Sequence, residues 1–318
     1  MLRPVLRDQL PHTLRETDFP ALGERYRGKV RDTYSREDRL VLITTDRLSA
    51  FDRVLTTIPF KGEILNRLTT WWFERTRQIV PNHLFDQPDP NVAVARRCRA
   101  FPVEVVVRGY LTGSLWRDYQ QGTHVAYGVP IPPGMRRDQK FDRPILTPAT
   151  KEAVGAHDQP ISEREILARG LVPEREWARV REAAFGLFAE GQRQAEGRGL
   201  ILVDTKYEFG TQGGQIYVID EMHTPDCSRY WIGSEYEARF KRGEEQRMLD
   251  KENIRQWLIQ ERGWSGHGEP PQIPDEVRVD LADKYVTAYE QITGEPARLE
   301  SGSALDRIRR NLSARGYL

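Results

Sequence analysis

The chain has 318 residues, 38% hydrophobic and 30% charged, enough apolar material for one large domain or two lobes without disulfide or metal staples. Its 48 lysines and arginines against 47 aspartates and glutamates leave a formal net charge of +1, so no bulk field recruits nucleic acid or a membrane surface. The two cysteines, Cys98 and Cys227, sit in no CxxC or Cys/His ligand spacing, which excludes a disulfide framework or a zinc site and suits a reducing cytoplasm.

The opening MLRPVLRDQLPHTL lacks an apolar h-region, and no run of about 18 apolar residues occurs, so a soluble, untargeted protein is expected. ERYRGKVRDTYS reads as two strands around Gly28, and RLVLITTD as the third strand of a meander. Gly23 with Gly28 and Lys29 has the Walker A spacing, but Val30 stands where that motif needs Ser or Thr. No apolar strand precedes the stretch and no helix follows it, so the P-loop is rejected. What remains is a strand–turn–strand flap, in which Gly28 lets the backbone approach phosphates while Lys29 and Arg31 project from one face. The plain alternative is a solvated hairpin. In DRLSAFD, residues 46–52, Asp46, Ser49 and Asp52 follow a strand and make either a self-hydrogen-bonding turn or a substrate-contacting loop.

Residues 62–80 carry Ile64, Leu65, Leu68, Trp72, Ile79 and Val80 at helical spacing, with Pro81 as the stop. VAVARRCRAFPVEVVVRG supplies two apolar runs broken at AFP, a crossing between lobes. Residues 103–107 then lead into Arg108, Gly109 and a turn, with Ser114 placed to N-cap the next helix. Two glycines, the hydroxyls of Thr112 and Ser114, a helix N-terminus and a guanidinium favour an anion such as a substrate phosphate. A routine capped helix is the bland reading.

Residues 122–158 are rich in Pro and Gly with little periodicity, and a loop this long reads as an active-site wall. His157, followed by Asp158, is its residue of interest; the six histidines form no metal-ligand spacing. Helices are expected over 161–169 and 173–197.

LVDTKYEFG, residues 202–210, places Asp204, Lys206 and Glu208 at alternate positions against Val203, Tyr207 and Phe209, so the charges share one strand face. A partner strand, residues 215–221, is joined to it by GTQGG and ends in Asp220 and Glu221, with Asp226, Ser228 and Arg229 beyond a TP bend. Buried carboxylates need cations, and Lys206 alone does not neutralise Asp204, Glu208, Asp220 and Glu221. Hard oxygen ligands suggest Mg²⁺ held with phosphates, and the hairpin register leaves open which two acids bracket it. Helices follow over 251–261, 275–292 and 301–313. The expected fold class is α+β, mixed α and β in two lobes.

GKVRDTY, DRLSAFD, VVVRGYLTGS, LTPATKEAVGAHD, LVDTKYEFG, DEMHTPDCSRYW and LDKENIRQWL, in this order from residue 28 to about 258, resemble the successive motifs of the SAICAR synthetase family. RGYLTGS and the TPATK loop are similar to its longer, yeast-like branch. The resemblance implies a two-lobed fold, with residues 1–100 as a β-rich lobe covering ATP and residues 101–318 as a larger lobe carrying substrate, metal and the terminal helices. The active site would lie in the cleft between them. It implies that ATP, L-aspartate and the carboxylate of carboxyaminoimidazole ribonucleotide give the succinocarboxamide, ADP and phosphate, in a cytoplasmic monomer or small homo-oligomer with no nucleic-acid or membrane partner.

Carried onto these residues, Gly28, Lys29 and Arg31 meet the ATP phosphates, Glu104 lies along the adenosine, and Glu208 and Asp220 hold Mg²⁺. Lys206 neutralises charge near the reacting carboxylate, and Asp204 accepts from the imidazole amino group. Arg108, Ser114 and Arg229, with Asp226 and Ser228 beside them, grip the ribonucleotide phosphate; Ser49 and Lys151 are candidates for aspartate. Cys227 stands where the family shows Ser, and a thiol is the poorer hydrogen-bond partner.

Overall fold

The computed structural model describes residues 2–51, 53–151, 158–249 and 252–318; Asp52 and His157, singled out above, lie outside the described residues. The chain opens with α1 (Leu2–Asp8) and enters five strands, β1 (Glu24–Arg27), β2 (Arg31–Arg36), β3 (Arg39–Thr44), β4 (Arg47–Ala50) and β5 (Arg53–Thr57). After α2 (Lys61–Thr76) come β6 (Leu84–Asp89), β7 (Val92–Arg96) and the long β8 (Arg99–Leu111). α3 (Gly113–Gln121), β9 (Gln139–Leu146), β10 (Ala149–Thr150), α4 (Glu163–Ala168) and α5 (Glu174–Glu196) follow. The remainder is β11 (Leu200–Gln212), β12 (Gln215–Ile219), β13 (Ser228–Ile232), α6 (Gly233–Arg242), α7 (Glu252–Gln260), α8 (Asp275–Thr293) and α9 (Ala304–Ala314).

The β1–β3 meander and the helices expected over 161–197 and 251–313 are present, with ends shifted by a few residues. The strand break expected at AFP falls instead at Arg97 and Cys98, and β8 runs through Pro102. A proline lacks the amide donor of a ladder, and β8 accommodates it where its register against β11 shifts, between the Glu104–Glu208 and Ala100–Gly210 pairs. The stretch 122–158, expected to be loop, contains β9 and β10, both paired with β8. The ladder of β9 breaks between the Arg108–Ile145 and Tyr110–Lys140 pairs, an interruption spanning Pro144, which hides the strand's periodicity. β11 and β12 are joined by Gly213 and Gly214 alone, both at positive φ (59° and 78°), so β11 extends to Gln212.

The described chain divides into two compact units, residues 1–73, 83–97 and 250–318 in one and 74–82 with 98–249 in the other. The first holds an antiparallel sheet in the order β1-β2-β3-β7-β6. Tyr34, Val41, Ile43, Val92 and Val94 on one face of it pack with Ala304, Ile308 and Leu312 of α9. Residues 250–318, expected with the substrate lobe, therefore cluster with the N-terminal strands. The reason is that the apolar stripe of α9, spaced by four, finds its buried partner on that sheet. The second unit is built on the sheet β10-β8-β11-β12, with β13 paired to β11 and β9 to β8. Its α5 buries Trp177, Val180, Ala184, Leu187 and Phe188 and packs along β11. No helix among the described residues is long and apolar enough to cross a membrane.

Candidate active site

The charged face of the second unit is set by the register of its two longest strands. β8 runs antiparallel to β11 with Arg108 opposite Asp204, Val106 opposite Lys206 and Glu104 opposite Glu208. Opposed residues share a face, so alternation puts all five charged side chains on one side of the sheet. Val103, Val105, Val107, Val203, Tyr207 and Phe209 are buried on the other.

Two carboxylates directly opposed repel each other. Lys206 resolves the conflict: its Nζ donates to Glu104 Oε1 at 2.5 Å and to Glu208 Oε1 at 3.2 Å. Lys151 Nζ takes the second oxygen of Glu208. Burial alone would lower the Lys206 pKa, but Glu208 and Glu104 outweigh it and raise it above the usual lysine value. Burial would likewise raise Glu208, but the two ammonium groups hold its carboxyl down at about 2. Burial wins at Glu104, whose carboxyl is raised despite Lys206. Glu104, expected beside the adenosine, is thus placed in a carboxylate–ammonium chain with Lys206, Glu208 and Lys151.

Toward the other end of this face two guanidiniums converge on Asp204. Arg108 Nη1 donates to Asp204 Oδ2 at 3.0 Å, and Arg229 Nη1 reaches the same oxygen from β13, where Arg229 stands opposite Asp204. Arg108 also donates through Nε to Thr147 Oγ1 at 2.8 Å and through Nη2 to Ser114 Oγ at 3.2 Å. Thr147 was not foreseen; nothing in its local sequence marks a strand-end hydroxyl 39 residues from its partner. Ser114 is not the expected helix cap. Thr112 occupies the N-cap of α3, Gly113 follows at φ 59°, and Ser114 in the first turn is left to face Arg108. A Cβ at Gly113 would lie 2.5–2.6 Å from the Arg229 guanidinium and displace it, and the φ of 59° favours glycine there.

The idea that Lys206 stands alone against four acids is corrected by these contacts. Asp204 is met by two arginines and Glu208 by two lysines. Ser228 is corrected as well, because it pairs in register with Thr205, on the face opposite Asp204, and its hydroxyl lies 2.6 Å from the Thr205 hydroxyl. It holds β13 to β11. Between β12 and β13 the chain passes through Asp220 and His223 in left-handed conformations, φ 69° and 55°. His223 is fully buried, 2.5 Å from the Tyr207 hydroxyl through Nε2, and burial lowers its pKa to about 3. Non-glycine residues held at positive φ concentrate at functional sites, and here they set the loop bearing Asp220, Glu221 and Asp226. Asp226 donates its amide to Thr224 Oγ1 at 3.3 Å. Cys227 gives its carbonyl to the Lys206 amide at 3.0 Å, and burial pushes its thiol up to about 11.

For Mg²⁺, no group of three or more His, Cys, Asp or Glu among the described residues forms a cage. The hard carboxylates of Glu208 and Asp220 fit an ion that takes one or two protein ligands and completes its shell with phosphates and water. Asp220 follows Ile219, the partner of Glu208 in the ladder. In the first unit, Gly28 N donates to Arg31 O at 2.8 Å and closes the turn carrying Lys29 and Arg31. Ser49 lies half-buried in β4, opposite Val54.

This fold and face define a protein for small anionic molecules, with a guanidinium corner and an ammonium–carboxylate chain on one sheet. The family model described as SAICAR synthetase matches residues 24–271. The phosphoribosylaminoimidazole-succinocarboxamide synthase of Legionella pneumophila (strain Lens) is 47% identical over 316 residues, covering 95% of this chain and 98% of its own. The chloroplastic synthase of Arabidopsis thaliana is 45% identical over 320 residues, covering 97% and 77%. The solved SAICAR synthase of Saccharomyces cerevisiae, complexed with SAICAR, superposes with a TM-score of 0.79 at 32% identity, covering 90% of this chain and all of that one. The Pyrococcus horikoshii SAICAR synthetase, 23% identical, shares the fold with a TM-score of 0.63. The chain belongs to the SAICAR synthetase family, and it is a ligase of purine biosynthesis.

Proposed function

We propose that the chain joins L-aspartate to the carboxylate of carboxyaminoimidazole ribonucleotide, with ATP converted to ADP and phosphate. The observation that carries this reading is the placement of the Arg108–Ser114–Arg229 corner and the Lys206 ammonium on the same sheet face, two strand residues, or about 7 Å, apart. The corner takes the 5′-phosphate of the ribonucleotide through charge-assisted hydrogen bonds. Asp204, whose Oδ2 serves both arginines, offers Oδ1 to the imidazole amino group.

A carboxylate does not acylate an amine at neutral pH until one of its oxygens becomes a leaving group. The substrate carboxylate oxygen attacks the γ-phosphorus and ADP departs; the aspartate amine then attacks the acyl carbon, loses a proton, and phosphate leaves. Lys206 lowers the repulsion between the two anions as they approach, and Lys29 and Arg31 meet the ATP phosphates. Glu208 and Asp220 would hold Mg²⁺, which when bound neutralises charge on the transferring phosphoryl group. Lys151, bonded to Glu208, supplies positive charge beside the same carboxylate rather than standing apart as an aspartate ligand. The free thiols of Cys98 and Cys227 fit a reducing cytoplasm.

Measuring ADP release with each substrate omitted in turn tests the reading. Turnover is expected only with ATP, ribonucleotide, aspartate and Mg²⁺ together. Full turnover without the ribonucleotide would refute the assignment, and full turnover in excess EDTA would refute the metal.

A further inference from the structure

Beneath the turn that carries Lys29 and Arg31 lies a buried guanidinium the reaction scheme does not use. Arg47, the first residue of β4, has a side chain 1% exposed, and its ion-pair partner Asp32 is 0% exposed. Nη2 donates to Asp32 Oδ1 at 2.8 Å and to the Gly28 carbonyl at 3.0 Å. Nε donates to the Lys29 carbonyl at 3.1 Å, and Nη1 to the Arg15 carbonyl at 2.6 Å. The next carbonyl, that of Val30, accepts from the Thr45 amide at 2.9 Å and the Thr45 hydroxyl at 2.8 Å.

Three consecutive carbonyls, at Gly28, Lys29 and Val30, are therefore drawn to Arg47 and Thr45. A planar trans peptide points its C=O and N–H in opposite directions. The amides of Lys29, Val30 and Arg31 consequently face away from Arg47 and Thr45. Backbone amides presented on one side of a turn can contribute to anion binding, and the cationic side chains of Lys29 and Arg31 belong to the same turn. The bond from Gly28 N to Arg31 O already closes the turn, so closure alone does not require a buried arginine. What Arg47 adds is a fixed orientation of each peptide plane, at the cost of desolvating a charge that Asp32 must answer.

We propose that Arg47, assisted by Thr45, is a positioning residue for nucleotide phosphate, acting through the backbone of the 28–31 turn without touching the ligand. This rests on reading that turn as the ATP-phosphate site. Calorimetry of the full chain with ADP and with adenosine, which has no phosphate, separates positioning from general loosening. Arg47→Lys and Thr45→Val are expected to weaken ADP about tenfold, to leave adenosine within twofold, and to raise the KM for ATP with that for aspartate unchanged. Thr45→Val keeps volume and charge, so it carries the test if Arg47→Lys does not fold. A parallel loss of ADP and adenosine binding, or no loss of either, overturns the proposal. Lys29→Met is the control: if it leaves ADP affinity intact, the phosphate reading of the turn fails, whereas if it weakens ADP and Thr45→Val does not, only the role of Arg47 and Thr45 fails.

Discussion

Lys206 stands between two carboxylates that strand pairing forces to face each other, and its charge is the one that β11 supplies against incoming anions. Lys206→Met keeps most of the side-chain length and removes the ammonium. Because the group is assigned beside phosphoryl transfer, kcat is expected to fall by about 10²-fold, as for other deleted electrostatic stabilisers. The pH profile gives a second reading. Glu208 is depressed to about 2, so its stabilising contribution is present above the ordinary carboxylate range and lost only as pH falls through about 2. Lys206 is raised, so its contribution persists below the ordinary lysine value and is lost in strong alkali. Neither titrates near neutrality in the wild type. In Lys206→Met, Glu104, already raised by burial, loses its cation, and the acidic limb of the kcat profile is expected to move to higher pH. A folded variant within a few-fold of wild type, with an unmoved limb, would make Lys206 a structural counter-ion. Cys227 makes the opposite case. Its carbonyl, not its thiol, serves Lys206, so Cys227→Ser should change kcat by less than about twofold; a tenfold change in steady-state rate would show that the side chain matters.

At the scale of elements, what was legible was what repeats within one strand. The period of two in LVDTKYEFG was enough to place Asp204, Lys206 and Glu208 on one face. Their partners were not legible, because Arg229 and Lys151 are brought in by β13 and the segment after β10, and no local pattern encodes a register between strands. The same limit hid Arg47. DRLSAFD reads as a polar turn, and only tertiary structure shows that its arginine is buried under a distant hairpin. Register also brings a distant cation onto Gly113: β13 lays the Arg229 guanidinium over the start of α3. Gly113→Ala adds one methyl at positive φ beneath that guanidinium, a strain of about 1 kcal/mol before any clash. The KM for ribonucleotide should rise about tenfold with that for ATP unchanged. Arg229→Ala should cost about 1.5–3 kcal/mol of ribonucleotide binding through the lost charge-assisted bond. Calorimetry showing a collapse of ATP affinity with ribonucleotide affinity intact would mean that the two phosphate sites had been exchanged.

At the scale of the whole molecule, the first unit is assembled from both ends of the chain. Composition and periodicity correctly gave a mixed α and β protein with C-terminal helices, but not where those helices dock, since contacts more than 200 residues apart leave no local trace. The dock is electrostatic as well as apolar. Arg307 of α9 donates to Glu63 Oε2 at 2.8 Å and to Asp89 Oδ2 at 3.1 Å, and the two acid side chains are 2% and 0% exposed. Burial raises the Glu63 pKa, and Arg307 is the first charge opposing that rise. Arg307→Met keeps the packing of the stem and leaves buried carboxylates short of a cation, a change expected to cost about 3–5 kcal/mol. The sign with pH follows from linkage. In the variant the folded-state pKa of Glu63 rises further above its unfolded value, so the folded state gains protons more readily than the unfolded one. Its contribution is then favourable below the unfolded pKa and is lost as pH rises through the folded one. The deficit in Tm between variant and wild type should therefore be larger at pH 8 than at pH 5. A deficit equal at both pH values would show that Glu63 titration is not what Arg307 controls, and no deficit at either would show that α9 is held by its apolar stripe alone.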